Sequence, residues 1–174
     1  TILFASVGVI AGLILLFSPE EKKSKTNLRP FSVEMPAQEK TDHAKSEKLF
    51  MEGIPHYASD TAEGYKKSAS LFLQSASYDS NNVKALSLLA SSYLNLIDVI
   101  KRDENYFNVV MKLIELARAK GLDFTETMIS DVELYLVLGN PDAAISRIIE
   151  FSKAHQYTVE HYYFLALSYY YRND

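Results

Sequence analysis

Asn82-Val-Lys-Ala-Leu-Ser-Leu-Leu-Ala-Ser-Ser-Tyr-Leu-Asn-Leu-Ile97 is the stretch whose spacing decides the fold. Apolar residues recur in it at steps of three and four, the period that places side chains on one helical face. The same period runs through Tyr106–Ala119, Met128–Leu138, Ala143–Phe151 and Val159–Tyr171, and sustained strand alternation is absent. Punctuation falls between these segments. Lys120-Gly121 is a basic last turn followed by a C-cap glycine, and Asn140-Pro141 is an N-cap followed by proline at the first helical position. Small residues at Ala69, Ala76, Ala90, Ala117 and Ala166 let neighbouring helices approach closely. The pattern predicts an all-α domain of paired helices, with an irregular helical bundle as the plain alternative.

One motif recurs along this domain. Leu86, Leu89, Ala90 and Tyr93 stand at relative positions 4, 7, 8 and 11, and Tyr162, Leu165, Ala166 and Tyr169 repeat that order. Met128, Val132, Tyr135 and Gly139 fit it less completely. The intervening segments carry a small, then bulky, then small order in Ala69, Leu73 and Ala76, with looser versions at Val110, Ile114, Ala117 and at Ala144, Ile148, Phe151. In these residues the chain resembles the tetratricopeptide repeat (TPR) family, over roughly Ala44 to Asp174. The resemblance implies a helical-hairpin solenoid of about three repeats plus one further helix. Leu49, Leu86, Met128 and Tyr162 are spaced by 37, 42 and 34 residues. The family's usual length is about 34, so the two longer intervals predict inserted loops near Ser59–Glu63 and Asp98–Glu104.

The family resemblance also implies a binding surface. In TPR proteins the first helix of each pair lines a concave groove, mainly through relative positions 2, 5, 9, 12 and 13. Carried onto this chain, those positions are Glu47, Phe50, Ile54, Tyr57 and Ala58; Lys84, Ser87, Ser91, Leu94 and Asn95; Glu126, Ile129, Glu133, Leu136 and Val137; and Glu160, Tyr163, Leu167, Tyr170 and Tyr171. The expected partner-binding residues are therefore Phe50, Ile54, Tyr57, Leu94, Ile129, Glu133, Leu136, Tyr163, Leu167, Tyr170 and Tyr171. An aromatic and aliphatic surface with acidic edges suits a groove-bound peptide or helix. Tyr170 and Tyr171 have a second reading, as packing surface for a further repeat or a capping partner. The basic clamp with which some family members bind acidic C-termini is missing, because Phe50 and Ile54 occupy its first lysine and asparagine positions.

The N-terminus is of a different kind. Ile2 to Phe17 carries no charge, and a helix of sixteen residues spans about 24 Å against a hydrocarbon core of about 30 Å. Since the run opens on Thr1, the expectation is a transmembrane anchor helix over residues 1–18 whose first turn is missing. Leu15-Leu16-Phe17-Ser18-Pro19 offers no small-residue cleavage site, which favours an anchor over a signal peptide. Ala5, Gly8 and Gly12 form a small-residue face suited to helix packing in lipid. Residues 19–43, with Pro19, Pro30, Pro36 and dense mixed charge, read as a tether, and 44–174 as the repeat domain.

Composition narrows the function. A net charge of −4 and the lack of a basic stripe argue against nucleic acid, and the twelve tyrosines sit among apolar residues at helical spacing. The chain has no cysteine. His43, His56, His155 and His161 show no metal-ligand spacing, and neither a phosphate-binding glycine loop nor a nucleophile elbow is present. The expectation is a protein that is not an enzyme and needs no metal or cofactor. Two functions fit. One is a scaffold or accessory subunit of a bacterial inner-membrane complex (secretion, envelope-assembly or ion-driven motor machinery), with a polytopic membrane protein, a groove-bound segment and the lipid bilayer as partners. The other is a free-standing periplasmic chaperone or adaptor, and both leave a homo-oligomer open. Lys22, Lys23, Lys25 and Arg29 pull the following domain toward the cytoplasm, whereas a lone N-terminal anchor in a bacterium favours the periplasm; the periplasmic side is the one expected.

Overall fold

The computed structural model describes residues 32–37, 41–97 and 104–172. These are all-helical, with seven helices and no strand among the described residues: α1 (His43–Tyr57), α2 (Ala62–Tyr78), α3 (Val83–Asn95), α4 (Glu104–Lys120), α5 (Thr125–Val137), α6 (Pro141–Ser152) and α7 (Val159–Arg172). Side-chain caps set many of the starts. Asp42, Thr61, Asn82 and Asn140 each accept from the backbone N–H three residues on, at the heads of α1, α2, α3 and α6. The end of α5 is set by Gly139 at φ +70, where its N–H reaches Leu136 O at 3.0 Å and that of Asn140 reaches Tyr135 O at 2.8 Å. This double bond pattern needs a left-handed residue, which glycine supplies without steric cost.

Each helix packs on its chain neighbours, and the odd-numbered helices also touch in series, α1 on α3, α3 on α5 and α5 on α7. Helix α5 packs far more on α3 than on α4, the helix before it. Two apolar clusters result. The larger unites α1 to α4 around Phe72, Leu89, Tyr106 and Ile114, and the smaller joins α5 to α7 around Met128, Ile148 and Phe164. Serines fill the close helix crossings: Ser46 meets Ser75 at 3.1 Å, Ser68 meets Ser92 at 2.9 Å, and Ser87 meets Thr127 at 3.1 Å. A small hydroxyl permits close approach and finds its hydrogen bond across the interface, so burial costs little.

Two expectations need correction. Helix α1 joins α2 through residues 58–61 alone, so the extra length of the first interval lies in the seventeen-residue α2 and not in an inserted loop. Part of the expected tether is docked. Val33 is buried against the larger cluster, and the Tyr93 hydroxyl accepts from Glu34 N and donates to Glu34 O, both at 3.1 Å. Among the described residues no helix is long and apolar enough to cross a membrane. The apolar run 2–17, with Ala5, Gly8 and Gly12, lies outside the described residues.

A buried carboxyl locks the seam between the clusters. Asp131 on α5, 1% exposed, receives Arg118 Nε from α4 and Arg147 Nε from α6, each at 2.7 Å. Neither Arg is fully exposed, so replacing Asp131 strands two partly desolvated guanidiniums. Asp131→Asn is expected to cost about 2–4 kcal/mol, read as a lowered midpoint in urea unfolding. A second site tests packing. A Cβ on Gly53 would lie 2.5 Å from the ring of Phe72, which is fully buried. Gly53→Ala is therefore expected to destabilise by about 1–3 kcal/mol although alanine is the better helix former; a rise in melting temperature would contradict this account of the α1–α2 contact.

Candidate partner-binding face

Glu133 is the centre of the face that the odd-numbered helices share. Its Oε1 accepts from Tyr57 Oη of α1 at 3.0 Å and from Asn95 Nδ2 of α3 at 2.9 Å. Both arrive from helix C-terminal ends, which the series α1–α3–α5 brings side by side. The Asn95 amide also bonds Ser91 O at 3.0 Å, which fixes its orientation. Tyr57 stands edge-on to Tyr65 of α2, ring centres 5.5 Å apart. Tyr65 donates to Asp60 Oδ1 in the α1–α2 turn, and Asp60 itself holds φ 50, a left-handed conformation that aspartate tolerates better than most residues. From α7 comes Tyr163, on which the carboxylates of Asp60 and Glu133 both act.

The hydrogen-bond accounting at this centre is incomplete. Three buried side-chain atoms make no hydrogen bond of ordinary geometry among the described residues: Ser91 Oγ, Glu133 Oε2 and His161 Nε2. His161 belongs to the smaller cluster, where its ring stacks on Phe151 at 5.3 Å. The other two belong together. The Ser91 hydroxyl lies beside both Glu133 and Tyr57, and its hydrogen bonding favours the charged form of each. Ser91 is fully buried.

Burial governs the electrostatics. Desolvation pushes the Glu133 carboxyl up to about 7, against the opposing pull of its neighbours Ser91, Asn95 and Tyr57. Desolvation likewise raises Tyr57, Tyr65 and Tyr163, and the carboxylates of Glu133 or Asp60 add to each. The phenols thus stay protonated, able to donate, while Glu133 is half-ionised at neutral pH.

The expected groove residues divide into four groups. Tyr57 and Glu133 are hydrogen-bonded, and Tyr163 lies within range of the Glu133 charge. Phe50, Leu94 and Ile129 are core residues and line nothing: Phe50 is 4% exposed and packs on Phe72 with ring centres 5.6 Å apart, Leu94 is 1% exposed and Ile129 is 9% exposed. Ile54, Leu136 and Leu167 are half-buried against the two clusters. Tyr170 and Tyr171 are well exposed and set edge-on to each other at 5.9 Å. The reading from sequence missed Asp60 and Tyr65, which come from the turn and the second helix of a pair; the only signal was an acidic turn residue five positions before a tyrosine. Among the described residues no cluster of acidic, histidine or cysteine side chains could hold a metal ion.

No protein-family model matches the chain, and no curated protein or solved structure matches it.

The raised carboxyl fixes a pH dependence. Between about pH 4.5 and pH 7 the folded chain keeps a proton on Glu133 that the unfolded chain has released, so stability falls as pH rises through that window and stays lower above it. Glu133→Gln keeps an acceptor for Tyr57 and Asn95 and removes the titration. The variant is expected to match the parent near pH 4 and to exceed it near pH 8 by on the order of 2–3 kcal/mol; urea unfolding at the two pH values reads the difference, and equal gains at both would refute the burial account.

Proposed function

We propose that the chain is a membrane-anchored TPR-like scaffold, an accessory subunit that holds a protein segment on the Glu133 face while the apolar run 2–17 seats in a bilayer beside a polytopic partner. The observation that carries this reading is the face itself: the odd-numbered helices pack in series, and Tyr57, Asn95 and Glu133 from three of them are hydrogen-bonded together on the side they share. The order of helix contacts supports the TPR-like part of the reading, with α1, α3, α5 and α7 as first helices and α2, α4 and α6 as second helices. Exposed Tyr163, Tyr170 and Tyr171 add rigid contact area on the last first-helix. No chemistry is assigned to the chain: it acts by binding, without cofactor or metal, on the periplasmic side of a bacterial inner membrane.

The test is purification of the full-length protein from its native membrane in mild detergent, followed by mass determination of the intact complex. A fixed-ratio assembly with a polytopic protein is expected, and Tyr163→Ala should weaken capture of the second component at least about fivefold, the equivalent of about 1 kcal/mol. A lone monomer with exchanging clients would replace the scaffold with the adaptor reading. Unchanged capture by a folded Tyr163→Ala variant would move the binding surface off this face.

A further inference from the structure

A cleft of about 350 Å³ opens on the side of α5 that carries Asp131, between the end of α4, α5 and α6. Its volume falls in the range of small-molecule sites. Arg118 and Arg147 line it, one on each oxygen of Asp131. Each guanidinium is only partly used. Arg118 donates from Nε to Asp131 and from Nη2 to Tyr135 Oη at 3.4 Å, and Arg147 donates from Nε to Asp131 and from Nη2 to Leu122 O at 3.3 Å. Nη1 of both has no acceptor among the described residues. Both side chains are reachable from solvent, 31% and 14% exposed. Two cations share one carboxylate, so the floor of the cleft keeps a net positive charge together with free donors. Both are also held still, by the buried Asp131 and, for Arg147, by the Phe151 ring 5.7 Å away. Groups fixed in advance lose little freedom when a ligand arrives.

Charge narrows the ligand. Asp123 and Glu150 line the cleft as well, but both are exposed and neither pairs with Arg118 or Arg147. Water and salt weaken such solvated charges, whereas a group that reaches the floor meets the guanidiniums directly. A cation there would face two like charges. A neutral group would leave the excess charge uncompensated. A carboxylate or phosphate supplies both the charge and paired acceptor oxygens that match a guanidinium fork. Exposed Leu122 and Ala154 offer apolar contact beside it, room for a hydrocarbon body. We infer that this cleft binds a small organic anion through its carboxylate or phosphate group, with Arg118 and Arg147 donating to it and Asp131 holding the two arginines in place. The site is separate from the Glu133 face and does not rest on the scaffold reading.

Fluorine NMR of the full-length chain in neutral detergent micelles tests the inference. The probes are 4-fluorobenzoate, 4-fluorophenyl phosphate and the uncharged 4-fluorobenzamide, with empty micelles as the blank. At least one anion is expected to broaden when protein is added while the amide matches the blank, and the larger response identifies the head group. Arg118→Gln and Arg147→Gln should each weaken the bound anion about tenfold or more. Glu150→Gln removes a like charge and breaks no ion pair, so it should strengthen binding about two- to fivefold. Tyr163→Ala, on the Glu133 face, should leave anion binding unchanged. The amide and Glu150→Gln keep the test valid should an arginine variant fold poorly. Equal responses from all three probes would overturn the inference, as would no response from either anion at about 10 mM. Anion binding that survives both arginine substitutions in folded variants would overturn it too.

Discussion

Helix α3 is the constraint on which the remaining structure depends, because it has almost no solvent face. Eleven of its thirteen residues are buried, and it packs against α1, α2, α4 and α5. A helix enclosed this way cannot be amphipathic in the ordinary sense; it must be apolar or small all round. The chain meets this requirement with leucines on the faces toward the larger cluster and with Ser87, Ala90 and Ser92 where neighbours come close. Each buried hydroxyl needs a partner within reach, and Ser87 and Ser92 find theirs on α5 and α2. The hydroxyls therefore fix which neighbouring residue each turn of α3 can face, a register that leucines alone would leave loose.

Helix α5 shows the same physics producing opposite results within three residues. Asp131 and Glu133, two positions apart, project to nearly opposite sides of the helix. Asp131 faces α4 and α6, where two arginines supply both of its oxygens. Its charge is compensated and its hydrogen bonds are complete, as a buried ion must be to persist. Glu133 faces the side shared with α1, α3 and α7, where it meets phenols and amides but no cation among its strongest neighbours. One carboxyl is held by cations and the other by neutral donors. The contrast arises from what the neighbouring helices present, not from the residue type.

The helices were legible from apolar spacing. The segments read within Asn82–Ile97, Met128–Leu138 and Val159–Tyr171 correspond to Val83–Asn95, Thr125–Val137 and Val159–Arg172, and the Asn140-Pro141 cap stands where the sequence put it. Spacing carries this information because it is local. Which face of each helix meets solvent is not local: Phe50, Leu94 and Ile129 occupy groove positions by repeat register, yet the pairing of α1 with Phe72 and the enclosure of α3 draw them into the core. The arginine pair on Asp131 was equally hidden, since its members stand 13 and 16 residues from the aspartate on different helices. The hydrogen bonds between Glu34 and Tyr93 span 59 residues and leave no periodic trace. Glu133 itself was found because a repeat register, unlike a hydrophobic pattern, assigns a face to polar residues.

A purely structural role for Glu133 would be an expensive choice. Glutamine offers the same acceptor to Tyr57 and Asn95, adds a donor that Ser91 could accept, and carries no charge to desolvate. A buried carboxyl raised to about 7 gives up stability that the neutral isostere would retain. Buried groups kept under such strain concentrate where a protein must bind or switch. The surrounding architecture is consistent with that placement, since the positions that only pack, such as Asp131 and the paired serines, are fully satisfied. Glu133 lies on the face where helices from both apolar clusters meet, so a segment bound there would bridge α1 and α3 of the first cluster to α5 and α7 of the second and tie the two halves together.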